Sequence, residues 1–144
     1  MTQVDFYTHV EDRLRTACVL AGKAYASGMR VLVFCADRAA AQKFSHLLWS
    51  APSTGFVPHC MATDALAAIT PVIVDHEGAN ILHDEVLINL RDEWPPFFSR
   101  FQRLLEIVSL DDAEREAARQ RFRFYRDRGY EIRSHDRSRT AARP

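Results

Sequence analysis

The sequence predicts a single α/β domain in which a mostly parallel β-sheet is flanked by helices. Short, continuous apolar runs, such as RVLVF at residues 30–34, alternate along the chain with segments in which apolar residues recur at helical spacing. Continuous rather than alternating apolar runs are typical of parallel strands that are covered on both faces. A chain of 144 residues with 47% hydrophobic residues supports one hydrophobic core and is short for two.

The first half of the chain predicts two strands and two helices in alternation. In chain order they are a strand at 3–7, a helix at 14–25, a strand at 30–34 and a helix at 38–49. The dipeptide SG at 27–28 ends the first helical pattern, and Asp37 is placed to cap the second helix. PSTG at 52–55 then indicates a loop.

The second half predicts three more strands and one long helix. The strands are expected at residues 71–74, 85–90 and 105–110, with a helix start at Pro95 and Pro96 before the last strand. The long helix lies within residues 109–130 and ends at Gly129. We expect the domain to span residues 1–132, and residues 133–144, which are small, polar and arginine-bearing, to form a frayed tail.

The predicted long helix carries most of the chemistry that the sequence offers. Carboxylates open it and arginines follow, which is the order that a helix dipole favours. Ala118, Phe122 and Tyr125 share one face by their spacing. A line of arginines runs beside that face, at Arg115, Arg119, Arg123 and Arg126. An apolar face beside a line of arginines can form a basic groove with an aromatic edge. Such a groove suits an acidic peptide end or a nucleic-acid backbone, since guanidinium groups pair bidentately with carboxylates and phosphates. The spacing also fits a solvated arginine face on an ordinary amphipathic helix.

The net charge of zero hides an asymmetry along the chain. From Arg115 onward ten basic residues stand against four acidic ones, whereas the first 114 residues carry nine against fifteen. A neutral total argues against sequence-blind binding to duplex DNA, because that affinity grows with the number of phosphates neutralised. Three cysteines without paired spacing indicate a reducing cytoplasm, and no apolar run approaches the roughly 20 residues of a membrane-spanning helix.

No catalytic constellation stands out in the sequence. The five glycines can form neither a P-loop nor a GxGxxG turn, so the sheet lacks a phosphate-binding loop. Cys35 follows a strand, but without a neighbouring base it is interpreted as a small buried hydrophobe. Two other groups lack the spacing of zinc sites, namely His59 with Cys60, and Asp75, His76, His83 and Asp84. We therefore expect no metal and no cofactor.

Large apolar side chains surround the end of the second helix and the loop that follows it. They are Trp49, Phe56, Val57 and Pro58. Aromatic anchors beside a proline-stiffened loop are typical of partner-binding patches. The sequence is equally compatible with Trp49 and Phe56 closing the edge of the core.

Several blocks of the sequence together resemble a known family. They are FYTHVEDRL, RVLVF, LLW followed by GFVPH, PVIV, DEVLINL and residues 107–130, in this order and spacing. Over roughly residues 4–132 they are similar to the chi subunits of bacterial DNA polymerase III. The resemblance implies an α/β fold that is related to nucleotide-binding domains, lacks their phosphate loop and has no enzymatic activity.

The resemblance also implies partners. Members of that family pair with the psi subunit, which tethers them to the clamp-loader complex, and they bind the acidic carboxyl-terminal tail of the single-stranded-DNA-binding protein (SSB). By resemblance, Arg119 matches the essential tail-binding arginine. Its expected neighbours are Val108, Arg115, Phe122 and Arg123, and the expected psi-facing residues are Trp49, Phe56 and Pro58.

Two questions about partners stay open at this point. The resemblance does not decide whether a DNA-repair helicase also binds the psi-facing surface. The alternative function is direct binding of single-stranded nucleic acid by the basic carboxyl-terminal helix, which stacking aromatics and arginines can support.

Overall fold

The computed structural model describes residues 1–50 and 55–138, and these fold into one α/β domain around a seven-stranded sheet. The strands are β1 (Gln3–Val10), β2 (Val31–Phe34), β3 (His59–Met61), β4 (Val72–Asp75), β5 (Val86–Asn89), β6 (Arg103–Ser109) and β7 (Ile132–Asp136). The helices are α1 (Arg13–Ala26), α2 (Arg38–Ser50) and α3 (Asp112–Asp127), with 3-10 turns at Ala67–Ile69 and Phe98–Arg100. The strand order is β3-β4-β2-β5-β6-β1-β7, and every neighbouring pair is parallel. The predicted fold class is confirmed.

The helices begin where an aspartate can accept a hydrogen bond from the first turn. Asp12, Asp37 and Asp111 each accept from the backbone amide three residues later, at 3.2, 2.8 and 3.0 Å. Beyond the other end of α3, Gly129 has φ +82°, a left-handed conformation that glycine adopts without steric cost. These local signals fix the helix ends close to the predicted positions.

The helices cover opposite faces of the sheet. α1 and α2 bury Ala17, Phe44 and Leu48 against one face, whereas α3 buries Ala118 and Tyr125 against the other. All residues of β2, β4 and β5 are buried because these strands lie between the two layers. This double coverage is the physical reason for their continuous apolar runs.

Two edge strands, β3 and β7, are not indicated by the apolar pattern. β3 has three residues, all half-buried, and the sequence of β7, IRSHD, is mostly polar. The frayed tail expected from residue 133 is therefore wrong for residues 133–136, which pair with β1 in the sheet. Residues 139–144 lie outside the described part of the chain.

A buried carboxylate on β1 holds the last strand. Asp5 is 1% exposed, lies 3.0 Å from Nε2 of His135 on β7, and accepts a hydrogen bond from Nη2 of Arg103 at 3.0 Å. Burial alone would raise the pKa of Asp5, but the hydrogen bonds from His135 and Arg103 outweigh it and hold that pKa below its ordinary value. Polar contacts therefore dock β7, which explains why hydrophobicity does not reveal it.

Residues 95–102 contain one 3-10 turn, Phe98–Arg100, where a helix was expected from Pro95 and Pro96. The following strand, β6, begins at Arg103, two residues earlier than predicted. Most of the loop predicted at 52–55 falls in residues 51–54, which are not described.

A buried polar cluster fixes α3 on the sheet. Glu106, in the middle of β6, is fully buried and accepts hydrogen bonds from Arg121 Nε at 3.0 Å and from the Tyr125 hydroxyl at 2.6 Å. The side-chain amide of Asn89 on β5 lies within 3.2 Å of both oxygens of the same carboxylate. Arg121 also donates to the Asp92 backbone oxygen at 2.8 Å. Each charged group in this cluster has partners, as burial requires.

Replacing Arg121 with leucine should lower the free energy of unfolding by about 3–5 kcal/mol, because the buried Glu106 carboxylate loses its ionic partner. Tyr125→Phe, which removes a single hydrogen bond, should cost about 1–3 kcal/mol. Urea denaturation followed by circular dichroism measures both. Arg126→Leu, at an exposed position of the same helix, is the control and should change stability by less than about 0.5 kcal/mol. A loss for Arg121→Leu no larger than the control would contradict this assignment.

Candidate functional site

A crevice forms where the chain leaves two neighbouring strands in opposite directions. β1 and β6 are adjacent and parallel, yet α1 leaves β1 over one face of the sheet and α3 leaves β6 over the other. Open α/β sheets bind their ligands at such a switch point, outside the carboxyl ends of the strands. The topology therefore points to the ends of β1 and β6.

The end of β1 contains a bulge at this point. Tyr7 lies opposite Ile107 and Val10 lies opposite Ser109, so β1 has one residue more than its partner. Within the bulge His9 adopts φ +58°, which makes it the one non-glycine residue in the described chain with a positive φ. Such backbone conformations are costly and are concentrated at functional sites.

A cavity of about 250 Å³ lies in the crevice between α3 and the sheet. Its apolar side is formed by Phe6, Val108 and Phe122, and the rings of Phe6 and Phe122 meet edge to face at 5.4 Å. The rest of the lining comes from the ends of β1, β6 and β7 and from the first turns of α3, namely Thr8, His9, Ser109, Arg115, Ala118, Arg119 and Ser134. The cavity thus combines an apolar slot with cations on one side.

The two arginines of the cavity are only lightly engaged. Arg119 Nη1 donates to Glu116 Oε2 at 3.0 Å, and Arg115 Nη1 lies 3.9 Å from Asp112 Oδ1. The hydrogen bond from Arg119 is the main cause of a lowered pKa of Glu116. All four side chains are substantially exposed, so these intrahelical pairs are weak and leave most guanidinium N–H groups available.

Four of the five residues expected around the tail site lie together. Val108, Arg115, Arg119 and Phe122 line the cavity, whereas Arg123 is exposed and does not contribute to the lining. A helix turns about 100° per residue, so Arg123 lies nearly opposite the face that carries Arg121 and Tyr125 into the core. Helical spacing predicts one line of arginines, whereas in the structure Arg115 and Arg119 line the cavity and Arg123 does not.

Several lining residues have no signal in the sequence. The pairing of β1 with β6 and β7 in parallel register brings Phe6, Thr8 and Ser134 to the cavity. The bulge in β1 brings His9 there. Strand alternation places Phe6 and Thr8 on one face of β1, but it does not identify the strands beside them. Arg121 is a core residue. It lies three residues after Ala118 and four before Tyr125, a spacing that puts it on their face, but the sequence does not show that a buried Glu106 pairs with it there.

A second candidate surface lies at the other edge of the sheet. Trp49, near the end of α2, and Phe56 are 68% and 70% exposed, and their rings meet edge to face at 5.6 Å. The His59 ring packs edge to face against Trp49, with ring centroids 6.1 Å apart. The Nε2 atom of His59 lies 3.1 Å from Ser45 Oγ. We call Trp49, Phe56 and Pro58 the aromatic patch. Val57 is instead 3% exposed and belongs to the core.

Two of the residues weighed for other chemistry, Cys35 and Asp75, have structural roles. Burial raises the pKa of the Cys35 thiol to about 12, which keeps it protonated and inert, as its interpretation as a buried hydrophobe predicts. The carboxylate of Asp75 accepts from three successive backbone amides, those of residues 76–78, and so closes a turn. Among the described residues there is no group of three or more histidine, cysteine or acidic side chains that could hold a metal ion. No helix in the described part of the chain is long and apolar enough to span a membrane.

Comparison with known proteins identifies the family. A family model described as DNA polymerase III chi subunit, HolC, matches residues 1–133. The chain is 40% identical over 139 residues to DNA polymerase III subunit chi of Pseudomonas aeruginosa, which covers 94% of this chain and 96% of that protein. It is 30% identical over 132 residues to the subunit of the same name from Escherichia coli, with 91% and 88% covered.

The protein from Haemophilus influenzae with that name is 33% identical over 117 residues, which is 81% of each chain. The matches extend across both the switch-point crevice and the aromatic patch, so they concern the whole domain rather than one motif. The chain therefore belongs to the DNA polymerase III chi subunit family and has an accessory role in DNA replication.

Proposed function

We propose that this chain is a non-catalytic adaptor of the DNA polymerase III holoenzyme. In this role it captures the acidic carboxyl-terminal tail of SSB in the cavity beside α3 and pairs with the psi subunit, and through it with the clamp loader, by the aromatic patch. The observation that carries the proposal is the cavity itself, in which an apolar slot lies directly beside Arg115 and Arg119.

The size and lining of the cavity suit the end of a peptide. At about 250 Å³ it is smaller than the roughly 300–1,000 Å³ of pockets that enclose drug-sized ligands, so it accommodates one or two side chains. The apolar residue that ends the tail packs against Phe6, Val108 and Phe122. Its free carboxylate then lies within reach of the guanidinium fork of Arg119, which matches a carboxylate bidentately.

The energetics assign the main contribution to the terminal residue. Exposed ion pairs contribute about 0–1 kcal/mol each, and Glu116 already competes for Arg119. The aspartates of the tail therefore add little individually, while burial of the last side chain and the bidentate contact of its free carboxylate with Arg119 together supply most of the affinity. We expect micromolar binding, on the order of 8 kcal/mol, which the several tails of one SSB oligomer strengthen by multivalency.

The proposed partners bind far apart. The aromatic patch lies beside β3 at one edge of the sheet, and the cavity lies at β1 near the other edge. With parallel strands about 4.8 Å apart, the five steps from β3 to β1 separate the two surfaces by about 24 Å. Psi and an SSB tail can therefore be held at the same time, as an adaptor requires.

Direct binding of single-stranded nucleic acid is the alternative. The feature that favours it is the exposed outer side of α3, where Arg128 stacks on the Phe124 ring and Trp94 stacks on the same ring with centroids 3.7 Å apart. Acidic residues are interleaved with these arginines, at Asp127 and Glu116. These acidic residues reduce the local positive charge that binding to phosphates requires. Peptide capture in the cavity beside α3 is therefore better supported than nucleic-acid binding on the outer side of the helix.

Arg119→Ala should weaken binding of an SSB tail peptide by about tenfold or more, since the terminal carboxylate loses its bidentate partner. Calorimetry against the peptide with and without its last residue measures this, and the shortened peptide should not bind. Arg126→Ala, on the same helix but outside the cavity, is the matched control and should bind normally. Unchanged peptide affinity in Arg119→Ala, with salt-sensitive binding to a naked oligonucleotide, would favour the nucleic-acid alternative.

Phe56→Ala and Trp49→Ala should each weaken association with psi by about tenfold or more, because exposed aromatic pairs are frequent hot spots of interfaces. Co-elution of the two purified subunits at decreasing concentration gives the affinity. Leu110→Ala, which alters an exposed apolar residue outside the patch, should associate as the wild type does. Co-elution of both patch variants at wild-type strength would exclude this face.

A further inference from the structure

The bulge at the end of β1 places an imidazole at the junction of two cavities. His9 lines the cavity beside α3, which we call the tail cavity, and also a second cavity of about 250 Å³ on the α1 side of β1. The remaining lining of the second cavity is Val10, Glu11, Asp12, Arg15, Thr16 and Arg137. Among the residues that the structure describes, His9 is the one that lines both cavities.

The backbone at this position favours a residue other than histidine. With φ at +58°, His9 adopts a left-handed conformation that glycine takes at much lower cost. The sheet itself does not demand an imidazole here, since the side chain is 44% exposed and belongs to neither core cluster. A strained, exposed side chain at the edge of a cavity indicates a role in binding.

The contacts of His9 leave one ring nitrogen available. Nδ1 lies 3.2 Å from Asp136 Oδ1 and 3.2 Å from Thr8 Oγ. Because a carboxylate only accepts hydrogen bonds, Asp136 favours the form in which Nδ1 carries a proton. Nε2 has no hydrogen-bonding partner within the described residues, so it accepts a hydrogen bond in the neutral ring and donates one in the imidazolium.

Building on the tail capture proposed above, we propose that His9 is a further anion contact of the tail cleft. In its protonated form, Nε2–H of His9 donates to the carboxylate of an aspartate that precedes the terminal residue of the bound tail. Asp136 keeps the ring oriented through Nδ1. The imidazole therefore makes tail capture sensitive to pH near neutrality.

The direction of the pH effect follows from the charges around the ring. The charged and titratable groups on the elements that meet at His9 are His135 and Asp136 at the end of β7, Arg137 after it, Glu11, Asp12 and Arg15 at the start of α1, and Arg115 and Arg119 on α3. The carboxylates and guanidinium groups keep their charge between about pH 6 and pH 8. His135 lies with Nε2 3.0 Å from Asp5 Oδ1 and stacks on Tyr7, on the face of β1 opposite Phe6 and Thr8. Within the described chain His9 is therefore the one imidazole that lines the tail cavity. A protonated imidazole there adds a cation to the cleft, which therefore binds the acidic tail more tightly at lower pH.

The test measures the affinity of a synthetic peptide, three aspartates followed by a carboxyl-terminal phenylalanine, at about pH 6 and about pH 8. For the wild-type protein we expect affinity to be about two- to fivefold higher at the lower pH, as for one added exposed ion pair. His9→Gln should bind with the same affinity at both pH values. His46→Gln, which removes an exposed histidine on α2, should keep the wild-type response.

A second variant separates loss of the ring from distortion of the bulge. His9→Gly takes the positive φ without strain, so it preserves the backbone, and it should also lose the pH response while Arg119 still binds the peptide. Tight, pH-independent binding by the wild type would overturn the role of His9 and leave tail capture intact. A pH response that persists in both His9 variants would also overturn it. Absence of any binding by the wild type would overturn both proposals.

Discussion

The ion pair between Glu106 and Arg121 determines how α3 meets the sheet, and the candidate site depends on that orientation. Because Arg121 and Tyr125 both point at the Glu106 carboxylate, the helix cannot rotate without exposing a buried charge. With this face turned inward, Phe122 and Arg119 follow on the side of the helix that faces β1. One polar cluster, rather than apolar packing alone, therefore sets which arginine lies in the cavity.

The switch-point crevice in this chain carries positive charge without the usual phosphate-binding turn. Nucleotide-binding sheets commonly hold phosphate at the amino end of a helix that follows a glycine-rich turn. Here Asp12 and Asp111 cap the helices that follow β1 and β6, and their carboxylates occupy those amino ends. Positive charge comes instead from the guanidinium groups of α3, which suit a carboxylate beside an apolar side chain better than a triphosphate.

The strands that are buried on both faces could be predicted from the sequence, because burial requires continuous apolar runs. β2, β4 and β5 are covered on both faces and appear as apolar runs, whereas β7 is held by Asp5 through His135 and looks like a polar tail. Of the residues that line the cavity, the sequence points to Arg115, Arg119 and Phe122 on the helix, and the family resemblance adds Val108 on β6. Spacing brings Arg119 and Phe122 together, but the contributions of Phe6 and Ser134 depend on strand register.

Arg121 and Arg123 show the limit most clearly. They are two residues apart in the same basic helix, and helical spacing puts Arg121 on the face of Ala118 and Tyr125, where an arginine is not expected. One lies in the core and the other in solvent, because Glu106 stands opposite one of them on a strand fifteen residues earlier. Periodicity indicates which face of the helix is apolar, but it does not show that a carboxylate on the neighbouring strand pairs with an arginine on that face. In the proposed adaptor, Arg115 and Arg119 would hold a peptide end beside the apolar slot, and the helix rotation that Glu106 and Arg121 fix separates such a cleft from a solvated basic surface.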